Sequence, residues 1–291
     1  MRVTLRTVAL VALVVAVTTI AAGRAPLYGA PAQEPPPVAV DPLHRPFEQI
    51  LDIYVRDGLV YYQALKQERG RFDGYVRALA AVTADTVGTW AKPRQLAYWI
   101  NAYNAFVLQT VIDHYPIRGK SAAFPANSIR QIPGAFERQT FRAGGRTLTL
   151  DALERDVIAG LGDPRALLAL GRGAIGSGRL KSEAYTEARL DAQLGEMARE
   201  IVTRREMVEV RAGDNELSVS AMFSWREAAF SRLADRAPAI YAQRSPLERA
   251  LLALIEPVIV PNEAEFLRKN QFRMVFHDFD WKLNDLTGRG R

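Results

Sequence analysis

The sequence contains no cysteine and only three histidines among its 291 residues. The absence of cysteine excludes disulfide bonds, so the folded chain must be stabilised by its packed core. It also excludes lipid attachment through a cysteine and leaves a zinc site without thiolate ligands. The acidic cluster at 278–285 lacks the alternating ligands and closing Glu of a calcium-binding loop. We therefore expect neither a metal nor a cofactor.

Long runs of basic residues are also missing. The net charge is +6, but Lys and Arg are spread along the chain, with no run of five or six together. A protein that binds nucleic acid usually concentrates its positive charge in a patch or stripe. We therefore expect no nucleic-acid partner, and composition leaves the oligomeric state open.

Only one long hydrophobic run is present, the fifteen uncharged residues from Val8 to Ala22. Arg2 and Arg6 precede it and small residues follow it, which is the order of a secretory signal peptide. At about 1.5 Å per residue the run is shorter than a hydrocarbon core of about 30 Å. Residues 1–30 are predicted to be a signal peptide, or an amino-terminal anchor if the segment is uncleaved. The protein is then expected to be exported, to the periplasm or beyond, in a bacterial envelope.

The domain boundary is predicted from proline content. Residues 31–43 carry five prolines, a composition that favours an extended tether and cannot bury a core. We place His44 with this tether. No second linker of that kind follows, so residues 44–288 are predicted to form a single domain.

Hydrophobic spacing within this domain predicts a mainly helical α+β fold with a small, mostly antiparallel sheet built from hairpins. Turn residues Gly144-Gly145 and Asp214-Asn215 predict two hairpins. Helices are predicted at 47–54, 61–82, 95–113, 151–159, 183–203, 221–231 and 246–255, hairpins at 140–150 and 208–219, and strands at 167–170 and 272–276.

A glycine cluster follows the apolar run at 166–170. Gly171, Gly173, Gly176 and Gly178 surround a single hydroxyl, Ser177. The segment can be a phosphate loop, a nucleophile loop or a tight structural turn. The phosphate interpretation is weak, because the match to G-x-G-x-x-G lacks alternating strands and helices and the Walker A spacing lacks its Lys. The nucleophile interpretation requires a base, for which His277 is the candidate, oriented by Asp280 or Asn284.

Several other polar residues are candidates to support the glycine loop or to bind a ligand beside it. Asn101 and Asn104 lie three apart on an otherwise apolar helix, so both amides are expected to be buried, either bracing loops or facing a ligand. Glu154 begins a helix, where its charge suits the positive end of the helix dipole. Three arginines are candidates for an anion pocket beside the glycine amides, because arginine forks suit carboxylates: Arg155, Arg172 and Arg179.

Several motifs resemble one family over nearly the whole mature chain. They are Leu96–Ala105 (LAYWINAYNA), Ser128–Gly134 (SIRQIPG), Leu150–Glu154 (LDALE), Asp163–Arg165 (DPR), Glu183–Tyr185 (EAY), Phe223–Trp225 (FSW) and Phe279–Asp285 (FDWKLND). In this order they resemble the bacterial and plant family catalogued as domain of unknown function 547.

The resemblance implies a thiol site, and a core, like those of papain-type hydrolases. Aligned without gaps, Ser177 stands at the family's Cys and Leu167 at its strand His. Glu154 keeps the family's Glu, whereas Arg155 replaces the His that follows it. A serine replaces a thiol only with a strong base nearby, so the ancestral site is predicted to be degenerate here.

Two functions follow as expectations. The first is an exported envelope protein that binds a small anionic or peptide ligand, or an envelope partner, without catalysis. Its candidate ligand-binding residues are Asn101, Asn104, Arg155, Arg172, Gly176 and Arg179. The alternative is a serine-dependent hydrolase or acyl transferase that uses Ser177, Glu154 and His277, with loop amides as oxyanion donors.

Overall fold

A computed structural model describes residues 41–288 of the chain. The predicted signal peptide or anchor, residues 1–30, and residues 31–40 of the predicted tether lie outside the described residues. Within the described part, none of the helices combines the length and the apolar character needed to cross a membrane.

The fold is mainly helical with small sheets, which confirms the predicted α+β class; a papain-like core stays a prediction. The helices are α1 Arg45–Tyr54, α2 Tyr62–Gln67, α3 Gly70–Ala81, α4 Ala84–Gly88, α5 Lys92–His114, α6 Leu150–Ala152, α7 Leu190–Thr203, α8 Glu227–Phe230, α9 Pro246–Ile255 and α10 Pro261–Arg268. The strands are β1 Val55–Arg56, β2 Leu59–Val60, β3 Thr140–Ala143, β4 Arg146–Thr149, β5 Val208–Arg211, β6 Glu216–Ser220 and β7 Arg273–His277.

Helix α5 runs through the centre of the core. From Leu96 to Ile112 every residue except Gln109 is buried, as expected for a helix that is apolar nearly all round. Pro93 lies in its first turn, where a missing N–H costs nothing, and the helix ends at His114 before Tyr115 and Pro116. This helix therefore offers its buried polar residues to the loops packed around it.

Both predicted hairpins are present. Strands β3 and β4 pair antiparallel around Gly144 and Gly145, both with positive φ, as a tight two-residue turn requires. Strands β5 and β6 pair antiparallel, and the left-handed Asn215 lies in their turn. Strand β7 then adds parallel to β6, which gives a three-stranded sheet in the order β5-β6-β7.

Four sequence predictions differ from the structure. Residues 167–170 do not form a strand, because Pro164–Ala169 is a buried 3-10 segment whose first turn is capped by Asp163. The helix predicted at 183–203 begins only at Leu190. The helix predicted at 61–82 is divided into α2 and α3, and the one predicted at 221–231 is divided into short turns.

His44 does not belong to the tether. It occupies the position before α1 and is 3% exposed, and its Nδ1 lies 2.8 Å from the hydroxyl of Tyr75. Burial is the main cause that lowers the pKa of His44 to about 4, with Asp41 opposing the shift and Arg94 adding to it. The imidazole is therefore a neutral part of the core.

Candidate functional site

The glycine loop uses its own backbone amides. Six backbone N–H groups between residues 171 and 177 donate hydrogen bonds to acceptors within the protein. They are Gly171 N to Asn104 Oδ1 (2.9 Å), Arg172 N to Ser177 Oγ (3.0 Å), Gly173 N to Gly171 O (2.8 Å), Ile175 N to Lys282 O (2.9 Å), Gly176 N to Asp280 O (2.9 Å) and Ser177 N to Ala174 O (3.1 Å). An anion or oxyanion bound here would have to compete for these donors. In this conformation the loop favours the structural-turn interpretation.

Close backbone packing explains the glycines of this loop. A Cβ on Gly178 would lie 1.9 Å from the carbonyl oxygen of Leu168, and a Cβ on Gly176 would lie 2.8 Å from the amide of Asp280. Gly173 has φ +66°, which side chains with a Cβ rarely adopt. The loop is thus pressed between the 3-10 segment and the carboxyl-terminal segment.

Asn101 and Asn104 brace two loops, which is the first of the two roles predicted for them. The amide of Asn104 donates to Ala169 O at 3.1 Å, and its carbonyl accepts from Gly171 N. Asn101 forms both of its bonds to the backbone of Tyr185, donating at 2.8 Å and accepting at 2.9 Å. Both side chains are thereby satisfied, and a ligand role for them stays a prediction.

Ser177 and His277 are engaged with different partners. Ser177 is 2% exposed, its hydroxyl accepts from Arg172 N, and it borders a small cavity of about 70 Å³. His277 ends β7, with Nδ1 2.9 Å from Ser218 Oγ and Nε2 3.0 Å from Glu206 O. Neither residue hydrogen-bonds the other in the described part of the chain, so the structure supplies no direct support for the serine-enzyme alternative.

The three candidate arginines do not form one pocket. Arg155 is exposed and pairs with Asp151 and Asp156, both through bonds of 2.6–2.8 Å. Arg179 is 45% exposed and lies beside Glu200 at the small cavity next to Ser177. Only Arg172 faces a larger cavity. An anion-binding role for the three arginines together stays a prediction.

Arg172 belongs to a buried network with Glu154. Its Nη2 donates to Glu154 Oε1 at 2.7 Å, and the two side chains are only 4% and 6% exposed. Tyr103 and Arg226 approach the same carboxylate at 3.4 Å. Burial is the largest single effect and lowers the pKa of Arg172, but the charge of Glu154, the nearby Tyr103 and the hydrogen bond to Glu154 together leave the pKa raised. This contact joins the glycine loop to the turn that carries Glu154.

That turn is π-helical, covering Leu153–Ile158 directly after α6. Asp151, one turn earlier, pairs with Arg226, which also approaches Glu154. π-helical turns are rare and occur often at functional sites. Here α6 and the π-helical turn together carry two carboxylates that pair with two arginines from distant parts of the chain.

A cavity of about 320 Å³ opens beside this network. Its walls contain four aromatic rings, three arginines and three acids: Phe124, Phe136, Trp225 and Trp281, then Arg130, Arg172 and Arg226, then Glu137, Asp151 and Glu154. We call this cavity the Arg130 pocket. Its volume lies within the range of small-molecule sites, and its formal charges balance.

The aromatic wall is internally packed. The indoles of Trp225 and Trp281 stack with centroids 5.6 Å apart, and Phe279 packs behind both. Phe124 and Phe136 approach Trp281 edge-on at 6.0 and 5.9 Å. Such offset and edge-to-face contacts are favourable and stabilise the arrangement of the wall.

Arg130 lies at the middle of this wall. Its guanidinium carbon is 5.4 Å from the ring centroids of Phe124, Phe136 and Trp281. Its Nη1 forms an ion pair with Glu137 Oε1 at 2.6 Å, and the two side chains are 29% and 52% exposed. An exposed pair of this kind contributes little stability, so the guanidinium is available to another anion.

Sequence reasoning named Glu154 and Arg172 but missed the other residues of the pocket. The missed signal lies in three motifs that were read only as family markers: Ser128–Gly134 supplies Arg130, Phe223–Trp225 supplies Trp225, and Phe279–Asp285 supplies Trp281. Aromatic and arginine residues that recur in separate motifs are candidates for a shared site.

Comparison with known proteins bears on this site. Residues 87–202 match the family model described as protein of unknown function, DUF547. This segment is similar to the DUF547 family. It contains both asparagines, Glu154, Arg172, the glycine loop and Arg130, whereas Trp225 and Trp281 lie beyond it. Searches of curated proteins and of solved structures gave no significant match.

Metal ligation has little basis in the geometry. In residues 41–288 there is no group of three or more His, Asp or Glu side chains placed to hold a metal ion. The acids of the Arg130 pocket face arginines instead, and each is already neutralised by at least one of them. The arrangement suits recognition of a ligand with polar and aromatic parts.

Proposed function

We propose that this protein binds a small carboxylate-bearing ligand, such as the end of a peptide, in the Arg130 pocket without catalysing a reaction. The observation that carries the proposal is the position of Arg130. A planar guanidinium held among three rings is oriented for a bidentate bond to a carboxylate. The surrounding rings reduce competing water and strengthen such a bond.

The absence of catalysis is inferred from the pairing of the acids. Glu154 and Asp151 are both engaged in ion pairs with arginines, so neither carboxylate is free to act on a bound ligand in this conformation. Ser177 lies at a separate cavity with its hydroxyl committed to the loop. The proposal is therefore of a degenerate hydrolase-like site that retains binding.

Export completes the proposal and is supported by the sequence of residues 1–30. An envelope location would expose the pocket to peptides and small acids outside the cytoplasm. Amino-terminal sequencing of the chain recovered from a periplasmic fraction tests this part. A new amino terminus near residue 30 supports export with cleavage, and recovery of the intact chain only from the cytoplasm contradicts it.

A thermal-shift experiment tests binding. The full chain is heated with N-acetyl-L-phenylalanine and with its amide, which keeps the shape and removes the charge. A ligand at 100 times its Kd stabilises the folded state by about 2.7 kcal/mol, which raises Tm by several degrees. We expect the acid to raise Tm and the amide to have a much smaller effect.

The matched variants are Arg130→Gln and Arg77→Gln, the latter on the exposed side of α3 and outside the pocket. The shift caused by the acid should vanish in Arg130→Gln and persist in Arg77→Gln. Equal shifts with acid and amide, or equal shifts in both variants, would contradict a carboxylate site at Arg130.

A further inference from the structure

The ion-pair partner of Arg130 is the carboxylate of Glu137, which adjoins the aromatic residue Phe136 in the sequence. Glu137 follows Phe136 in the chain, and the two residues point their charged and aromatic groups at the same guanidinium. The Glu137 carboxylate lies 2.6 Å from Arg130 Nη1, while the Phe136 ring lies 5.4 Å from the guanidinium carbon. The chain thus presents an acid and an aromatic group together in its own pocket.

Backbone hydrogen bonds hold this segment, whereas the Glu137 side chain is half exposed and held by its ion pair with Arg130. Bonds from Arg138 N and Gln139 N to Gly134 O, both 2.9 Å, close the turn around Glu137. The Phe136 ring is 7% exposed and packs against Trp281, whereas the Glu137 side chain is 52% exposed. Rotation about its side-chain bonds therefore frees Arg130 without disturbing the turn.

We infer that Glu137 holds the place of the ligand's carboxylate on Arg130 and that the ligand is an acid with an aromatic body, such as an aromatic residue at the carboxyl end of a peptide. This inference rests on the proposed function and specifies its ligand. On binding, the Glu137 side chain turns to solvent and the ligand's carboxylate takes both guanidinium donors.

The aromatic body follows from what surrounds the guanidinium. A carboxylate bound to Arg130 brings the atoms attached to it against Phe124, Phe136 or Trp281, each with its centroid 5.4 Å from the guanidinium carbon. The indoles of Trp225 and Trp281 also line the pocket. A ring on the ligand gains contact with these faces, whereas a small acid leaves them in water.

The cost of displacing Glu137 sets the expected effect. An exposed ion pair contributes about 0.2–1 kcal/mol, so its loss from the free protein changes the Kd by at most about fivefold. Removing the competing charge should therefore tighten binding of the aromatic acid. The same change leaves every ring of the wall in place.

The experiment measures Kd by titration calorimetry on the full chain. The probes are N-acetyl-L-phenylalanine, its amide, N-acetyl-L-alanine and inorganic phosphate. The variants are wild type, Glu137→Gln, Arg130→Gln and the control Glu187→Gln, which removes an exposed carboxylate outside the pocket. We expect Glu137→Gln to bind the aromatic acid about two- to fivefold more tightly than wild type and Glu187→Gln to match wild type.

The outcomes distinguish the role of Glu137 and the aromatic class of ligand from the proposed function, which is carboxylate binding at Arg130. Acid binding that needs Arg130 but is unchanged or weaker in Glu137→Gln overturns the place-holding role while the proposed function stands. Equal affinity for the alanine derivative or for phosphate overturns the aromatic class of ligand. Failure of wild type and Glu137→Gln alike to bind either acid overturns both. Binding that is detectable only in Glu137→Gln supports both.

Discussion

Arg172 of the glycine loop and Glu154 of the π-helical turn form a buried ion pair with 2.7 Å between Nη2 and Oε1. Both residues line the Arg130 pocket, and the pair connects the π-helical turn to the glycine loop, which Asn104 also braces from the central helix. The glycine loop is thus a support for the pocket wall, and the pocket's accessible cation is Arg130.

Breaking this pair should destabilise the fold strongly. Arg172→Met leaves the Glu154 charge with only the longer contacts to Arg226 and Tyr103, and removal of one partner of a buried pair typically costs about 3–5 kcal/mol. Glu154→Leu should have a similar cost. The double variant should lose much less than the sum, because it leaves neither charge unpaired. Urea unfolding of the four proteins measures the coupling, and strictly additive losses would show that the pair is not energetically joined.

The glycine loop should not tolerate a methyl group at Gly178. The alanine side chain would overlap the carbonyl oxygen of Leu168, so Gly178→Ala should reduce the free energy of unfolding by more than about 2 kcal/mol. Gly160→Ala provides the control, because nothing lies within 4 Å of the added Cβ. That variant should be neutral or slightly stabilised. Equal stabilities for the two variants would contradict the close packing of the loop.

Asn101 of α5 should be essential to stability because its amide donates a hydrogen bond that an aspartate carboxylate cannot donate. Asn101→Asp replaces the donor that Tyr185 O requires and adds a buried charge, whereas Asn101→Ala only removes both bonds. Each unsatisfied buried group costs about 1–3 kcal/mol, and a buried charge costs more. We expect both variants to unfold at a lower urea concentration than wild type. At neutral pH the aspartate variant should be the less stable of the two. An aspartate variant as stable as wild type would mean that the amide donor is not needed.

Stability should fall as the pH drops from about 6.5 towards 4, partly because of His44. Its pKa is about 4 when folded and near 6.5 when unfolded, so the unfolded chain binds an extra proton in this window. The folded state is therefore favoured above the window and penalised within it. Between pH 7 and pH 5 the loss from this one group is about 2 kcal/mol.

The comparison that isolates this effect is between His44→Phe and Tyr75→Phe. The first variant removes the titrating group and should lose less stability than wild type between pH 7 and pH 5. The second removes the hydrogen bond at Nδ1 but keeps the imidazole buried, so its pH dependence should stay close to that of wild type. Identical pH dependence in all three proteins would contradict the lowered pKa of His44.

Local signals in the sequence predicted the elements that depend on local chemistry. Gly144-Gly145 and Asp214-Asn215 specify hairpin turns, and Pro93 with the apolar run after it specifies the central helix. The apolar run at 167–170 was read as a strand, since a short buried run has no periodicity that separates strand from helix. The late start of α7 has a tertiary cause, because Asn101 binds the backbone of Tyr185.

The residues of the site also show how far local sequence signals can predict structure. Arg172 and Glu154 were recognisable because they stand beside a glycine cluster and within a family motif. Arg130, Trp225 and Trp281 come from segments separated by many residues, and only the fold brings them to one cavity. Their sequence neighbourhoods hold no spacing that predicts a shared wall, so the pocket could not be derived from the chain alone.

The most direct test of ligand binding at Arg130 is a crystal structure of the full chain with N-acetyl-L-phenylalanine bound. The account predicts a carboxylate within about 3 Å of the guanidinium nitrogens of Arg130, the ligand's ring against the indole of Trp281 or Trp225, and Glu137 turned to solvent. A ligand at the glycine loop beside Ser177, or an Arg130–Glu137 pair left intact beside a bound ligand, would contradict it.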